Sequence, residues 1–137
     1  MFRSVMFSAA IIMLTAFTTM KYAKQESTLF GTKWLLQAVH QGDQVLTPEG
    51  ETAFLRINEE KKSAGGNGGC NAFGSTATIH GNTIQISDLF STKMYCDGIQ
   101  GTEDAFFHQL SSANRFEIKG EKLFLFKDKE LLLEFSK

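Results

Sequence analysis

Proline is almost absent from this chain of 137 residues, with Pro48 the single instance. There is one tryptophan, and there are only two cysteines and three histidines. Neither sign of charge dominates, with 14 basic residues against 15 acidic ones. No apolar run reaches the roughly 20 residues that a membrane-spanning helix needs. Each absence excludes something. The scarcity of proline and of biased tracts argues against Pro-rich linkers and long disorder. The few Cys and His residues lack the close CxxC or HxxxH spacing of a zinc site. The charge balance gives no basic face for nucleic acid, and Lys61-Lys62 and Lys119 to Lys129 read as exposed-turn charges.

What is present is a substantial apolar content, 42% of the residues, with 13 phenylalanines. That suits one domain with a real core. The N-terminus stands apart. "MFRSVMFSAAIIMLTAFTTM" has one basic residue, Arg3, then a mostly apolar run, and no acidic residue precedes Glu26. This is the pattern of an export signal over residues 1–25, with an uncleaved signal anchor as the alternative. Ala23 is the candidate last residue removed, though Lys21 fits the −3 position badly. No cysteine lies near the apolar run to carry a lipid. Removal of 1–25 leaves 11 basic and 15 acidic residues, a net charge of −4. The expected location is periplasmic or secreted, with no stable membrane insertion after signal removal. An oxidising compartment favours pairing of Cys70 with Cys96, with free buried thiols as the alternative.

Residues 26–137 read as one α+β domain with an antiparallel sheet of about seven strands and one helix. "GTKWLLQAV" and "TAFLRIN" read as strands, with a turn at 41–43. "STATIHGNTIQIS" is a hairpin turning at Gly81-Asn82. "EKKSAGGNGG" is a basic and small segment, and "DLFSTKMYCDGIQG" reads as a loop. "TEDAFFHQLSSANR" is the helix, with Thr102 as its cap and Phe106, Phe107 and Leu110 as its buried stripe. "RFEIKG", "KLFLFKD" and "ELLLEFSK" form a closing meander with turns at Gly120 and Asp128.

The stretch "AGGNGGCNAFGST" (64–76) invites a test for phosphate binding. From Gly66, the dinucleotide pattern fails at Asn71. For a nucleotide loop, Ser75 stands where the lysine is needed, and a strand follows instead of a helix. The glycines are then read as positions of positive φ or close backbone approach. No serine sits in a GxSxG elbow. A pairing of Cys70 or Cys96 with His80 would be removed by a disulfide. His108 reads as a surface residue, and Asp97, Glu103 and Asp104 as a solvated loop and helix start. No catalytic residue, metal site or cofactor is expected.

Several motifs occur in order. Thr32-Lys33-Trp34-Leu35-Leu36 opens the domain. Gly69-Cys70-Asn71-Ala72-Phe73 stands at its centre, and Ser91-Thr92-Lys93-Met94-Tyr95-Cys96 follows. Glu103 then precedes Phe106, Phe107 and Leu110, and Leu123-Phe124-Leu125 and "LLLEF" close the chain. In these motifs the sequence resembles the META domain family, the HslJ-like heat-shock domain of bacterial envelope proteins. One departure is visible. The family continues Phe-x-Gly-x-Tyr, whereas here Phe73-Gly74-Ser75-Thr76-Ala77 has its glycine one place early and lacks the aromatic. The resemblance implies a small, strongly curved, barrel-like antiparallel sheet with one helix. It also implies that the two cysteine motifs meet. For function it implies a stress-linked envelope domain and no established catalytic residues.

The resulting expectation is a non-enzymatic, stress-linked binding module whose partner is an envelope protein or small ligand. A protease-inhibitor-like exosite binder, offering "QGDQVLTPEGE" (41–51), is the alternative. An enzyme is the less supported third reading.

Overall fold

A computed structural model of the chain describes residues 20–22, 24 and 28–137. Apart from those four early positions, the expected export segment 1–25 lies outside the described residues. The seven strands read from the sequence are all present: β1 (Trp34–Gln41), β3 (Phe54–Asn58), β5 (Ala72–His80), β6 (Thr83–Ser91), β7 (Arg115–Lys119), β8 (Lys122–Lys127) and β9 (Glu130–Ser136). Two more complete the sheet, β2 (Gln44–Leu46) and β4 (Ser63–Asn67). The helix α1 spans Gln100–Ser112.

All neighbouring strands pair antiparallel in the order β2-β1-β3-β4-β5-β6-β7-β8-β9, and β1 also pairs with β9. The β1–β9 register, from Leu35↔Ser136 to Val39↔Leu133, therefore bends the sheet into a near-ring. Its weakest seam is β6–β7, where Thr83↔Arg115 is the one matched pair. The chain between these two strands is the part that contains α1, which packs against β6, β1 and β9.

Alternation explains the burial. On β3, Leu55 and Ile57 are buried while Arg56 and Asn58 are exposed. Trp34, Leu55, Phe116, Leu125, Leu133 and Phe135 meet inside the ring. On α1, Phe106 and Leu110 are fully buried. Phe106 stands edge-on to Phe73 and Phe135, with centroids 5.8 and 6.0 Å apart. Truncating such a residue to alanine costs about 3–5 kcal/mol.

Two local expectations are corrected. Thr102 does not cap the helix, because α1 begins at Gln100 with Ile99 in the cap position and no side-chain cap bond. A reverse turn already starts the helix, as the Ile99 and Gln100 N–H groups both donate to the Cys96 carbonyl. The segment "DLFS" is strand, not loop. β6 continues through it past a bulge in which Asp88 and Leu89 oppose Ser75. The apparent loss of period in the sequence is that bulge, which shifts the side-chain alternation by one.

Candidate functional site

The central motif is built around a buried carboxylate. Glu103 is 1% exposed, on the inner side of α1. Its Oε2 accepts from the backbone N–H of Cys70 (2.8 Å) and of Asn71 (2.7 Å). Its Oε1 accepts from Asn71 Nδ2 at 2.6 Å. The solvated helix start expected at Glu103 is thus corrected. Three N–H donors compensate the burial of this carboxylate, which would otherwise be very costly.

Asn71 is equally committed. Its Nδ2 also donates to the Met94 carbonyl (3.0 Å), while its Oδ1 accepts from Met94 N–H (2.8 Å) and the Thr92 hydroxyl (2.9 Å). One side chain thereby fills both donor and both acceptor positions of its amide. The backbone it bonds lies 23 residues away, in the segment after β6. The Cys70–Cys96 disulfide, with Cα atoms 5.9 Å apart, fastens the same segment. Such a bond is consistent with an oxidising, extracytoplasmic compartment. Among the described residues no helix is long and apolar enough to cross a membrane.

Two glycines let the helix approach this closely. A Cβ on Gly68 would lie 2.6 Å from both Glu103 Cγ and Phe107 Cζ. Gly69 has φ +116, and a Cβ there would meet Ile99 at 2.9 Å. The glycine-rich stretch therefore serves close backbone approach, the reading left once phosphate binding failed.

The structure gathers most of the motif residues and leaves two apart. Gly69, Cys70, Asn71, Thr92, Met94, Cys96 and Glu103 form one cluster. Phe73 lies beneath it against Phe106 and Phe107. Ser91 ends β6 and accepts from Lys93 Nζ at 3.4 Å. Thr32 and Trp34 instead make their side-chain bonds to the carbonyls of Thr28 and Leu29, at the entry to β1. No histidine joins the cluster. His40 pairs with Glu134 at 2.8 Å, and His80 and His108 are exposed. Among the described residues no group of three or more His, Cys, Asp or Glu could hold a metal ion.

The sequence model of the META domain matches residues 27–137. The chain belongs to the META domain family. Solved structures agree on the fold. One similar chain is a protein from Burkholderia xenovorans solved by NMR, 23% identical, with a TM-score of 0.66 over 80% of this chain and 83% of that one. Another is a DUF4847 family protein from Bacteroides vulgatus, 11% identical, with a TM-score of 0.59 over 81% and 95%. No curated protein matches the chain at a significant level.

This META domain places its departure from the family pattern beside the cluster. Gly74 lies under the ring of Phe90, whose Cζ is 2.6 Å from where a Cβ would stand. An aromatic from the neighbouring strand so covers the early glycine. Phe90 is nevertheless 70% exposed, and Met94 and Tyr95 of the clamped segment are 59% and 77% exposed. Sequence reasoning left Phe90 and Tyr95 out of the site. The available signal was "LFSTKMY", an apolar stretch with no inward period. Chemically the cluster offers no free thiol, because both sulfurs are in the disulfide. What it does is hold one segment rigid and leave that segment's large side chains outside.

Proposed function

We propose that this META domain is an exported, non-enzymatic, stress-linked binding module that presents the Thr92–Tyr95 segment to a protein partner in the envelope. One observation carries the reading. Asn71 and Glu103 use their side-chain polar atoms to fix the backbone behind Met94, while Met94 and Tyr95 themselves stay exposed. Rigid display of large apolar side chains lowers the ordering cost of binding. Exposed clusters of this kind mark interaction sites. The protease-inhibitor reading has less support, because residues 41–46 belong to the β1–β2 hairpin and only a short segment after Leu46 is left to project.

A photo-crosslinking residue at position 95 tests the proposal, with the same residue at Lys129 as control. Envelope fractions are compared before and after heat stress. A discrete adduct from position 95 alone, stronger after stress, is expected. Identical adducts from both positions, or none, would count against it.

A further inference from the structure

We infer that the outer face of the sheet beside the clamp is a docking surface for an acidic protein segment carrying apolar side chains. This deepens the binding-module reading and rests on it. The water-facing side of an antiparallel sheet is normally polar. Register places Leu35, Phe54, Asn67 and Ala72 side by side across β1, β3, β4 and β5. A second row runs Arg56, Gly65, Gly74 and Phe90. The third row, Asn58, Ser63, Thr76 and Ser87, is polar as water contact requires. The apolar character is confined to the two rows nearest the clamp.

Gly65 and Gly74 oppose each other, and the Phe90 ring lies over Gly74, so between that ring and Arg56 the row has no other side chain. At about 4.8 Å per strand that row is roughly 14 Å from end to end. The surface continues past Ala72, whose carbonyl accepts from Thr92 N–H, to the exposed Met94 and Tyr95. Behind Tyr95 a cleft of about 280 Å³ opens against Gln100, Asp104 and Phe107, room for one large side chain.

The charges along the two rows and at their ends share one sign, and the exposed carboxylate of the surface is Asp104 in the cleft. Lys33 Nζ stands 4.6 Å over the Phe54 ring. Arg56 ends the second row, and Lys93 follows β6. Neither row holds a carboxylate. Complementarity calls for acidic groups flanking apolar anchors. A lipid surface fits less well. Phe54 is half-buried beneath an ammonium group instead of protruding, and most of the residues lining the cleft are polar.

Three probes test this with the mature domain: short synthetic peptides alternating Glu with Leu and Trp, the same peptides with Lys replacing Glu, and vesicles of phosphatidylglycerol and phosphatidylethanolamine. The acidic peptides are expected to bind, more weakly as salt rises. Phe90→Ser, and separately the combined Lys33→Glu, Arg56→Glu and Lys93→Glu, should each weaken binding about tenfold or more. An unchanged thermal midpoint in each variant keeps folding out of the comparison. Binding of vesicles or basic peptides in preference, or of none of the three, would overturn the inference. So would acidic-peptide binding that ignores both variants. The crosslink from position 95 separates the two readings. An adduct unaffected by the charge reversals removes the acidic partner and leaves the binding module standing, an adduct lost on charge reversal supports both, and no adduct even with the native charges in place removes both.

Discussion

Replacing Glu103 by glutamine changes one atom in the centre of the motif and makes a sharp demand on stability. The amide oxygen can take the place of Oε2 and keep the two backbone bonds from Cys70 and Asn71. Those bonds become neutral, and charge-assisted bonds are roughly twice as strong, so about 0.5–1 kcal/mol is lost from each. The new amide nitrogen then faces Asn71 Nδ2 across the former 2.6 Å bond, donor against donor. Losing that bond and leaving a buried donor unpaired costs about 1–3 kcal/mol more. The total is roughly 2–5 kcal/mol, a large share of an ordinary domain's stability. For a domain near this size the midpoint should fall by about 10–25 °C. Calorimetry and urea titration measure both quantities, and the urea slope should stay unchanged. Glu103→Ala, which removes both acceptor oxygens and so all three bonds, should cost more. A loss below about 1 kcal/mol for Glu103→Gln would refute the idea that the carboxylate holds the central loop in place.

Other substitutions probe the same architecture. Cys70→Ser with Cys96→Ser opens a loop of about 27 residues and should cost roughly 3–4 kcal/mol, read as the difference in midpoint with and without reductant for the native protein. Gly68→Ala should cost about 1–3 kcal/mol or more, because its Cβ would press on Glu103 and Phe107. Gly81→Ala has open space around it, so only its φ of +61 is penalised, by about 1 kcal/mol in urea unfolding. Phe90→Ala, at an exposed position, should change stability by less than about 1 kcal/mol while weakening partner capture.

Much of the fold was legible where one face is buried. Alternation marked β3, β5 and the closing meander, because period-2 patterning records burial directly. β4 escaped notice because "SAGGN" has almost no side chains with which to alternate; its glycines serve backbone approach, and pairing with β3 and β5 makes it a strand. β2 escaped because three residues carry no period. At the site, the motif residues and the cysteine pair were readable as a set. The role of Glu103 was not. A glutamate in the first turn of a helix ordinarily faces water and the helix dipole, and only the crossing of the glycine loop beneath α1 buries this one. The exposed face was hidden for the opposite reason. Leu35, Phe54 and Phe90 look like core residues until the register shows on which side of the sheet they stand.

The central claim is that Asn71 and Glu103 form an internal clamp that holds the display segment rigid. Native-state amide hydrogen exchange tests it most directly, read by NMR at Asn71 and Met94, whose N–H groups donate to Glu103 Oε2 and Asn71 Oδ1. Both should exchange with the slow class that includes Leu125 of the core, and Glu103→Gln should speed them far more than it speeds Leu125. Exchange at Met94 as fast as in an open loop, or a variant that speeds all three equally, would contradict the account.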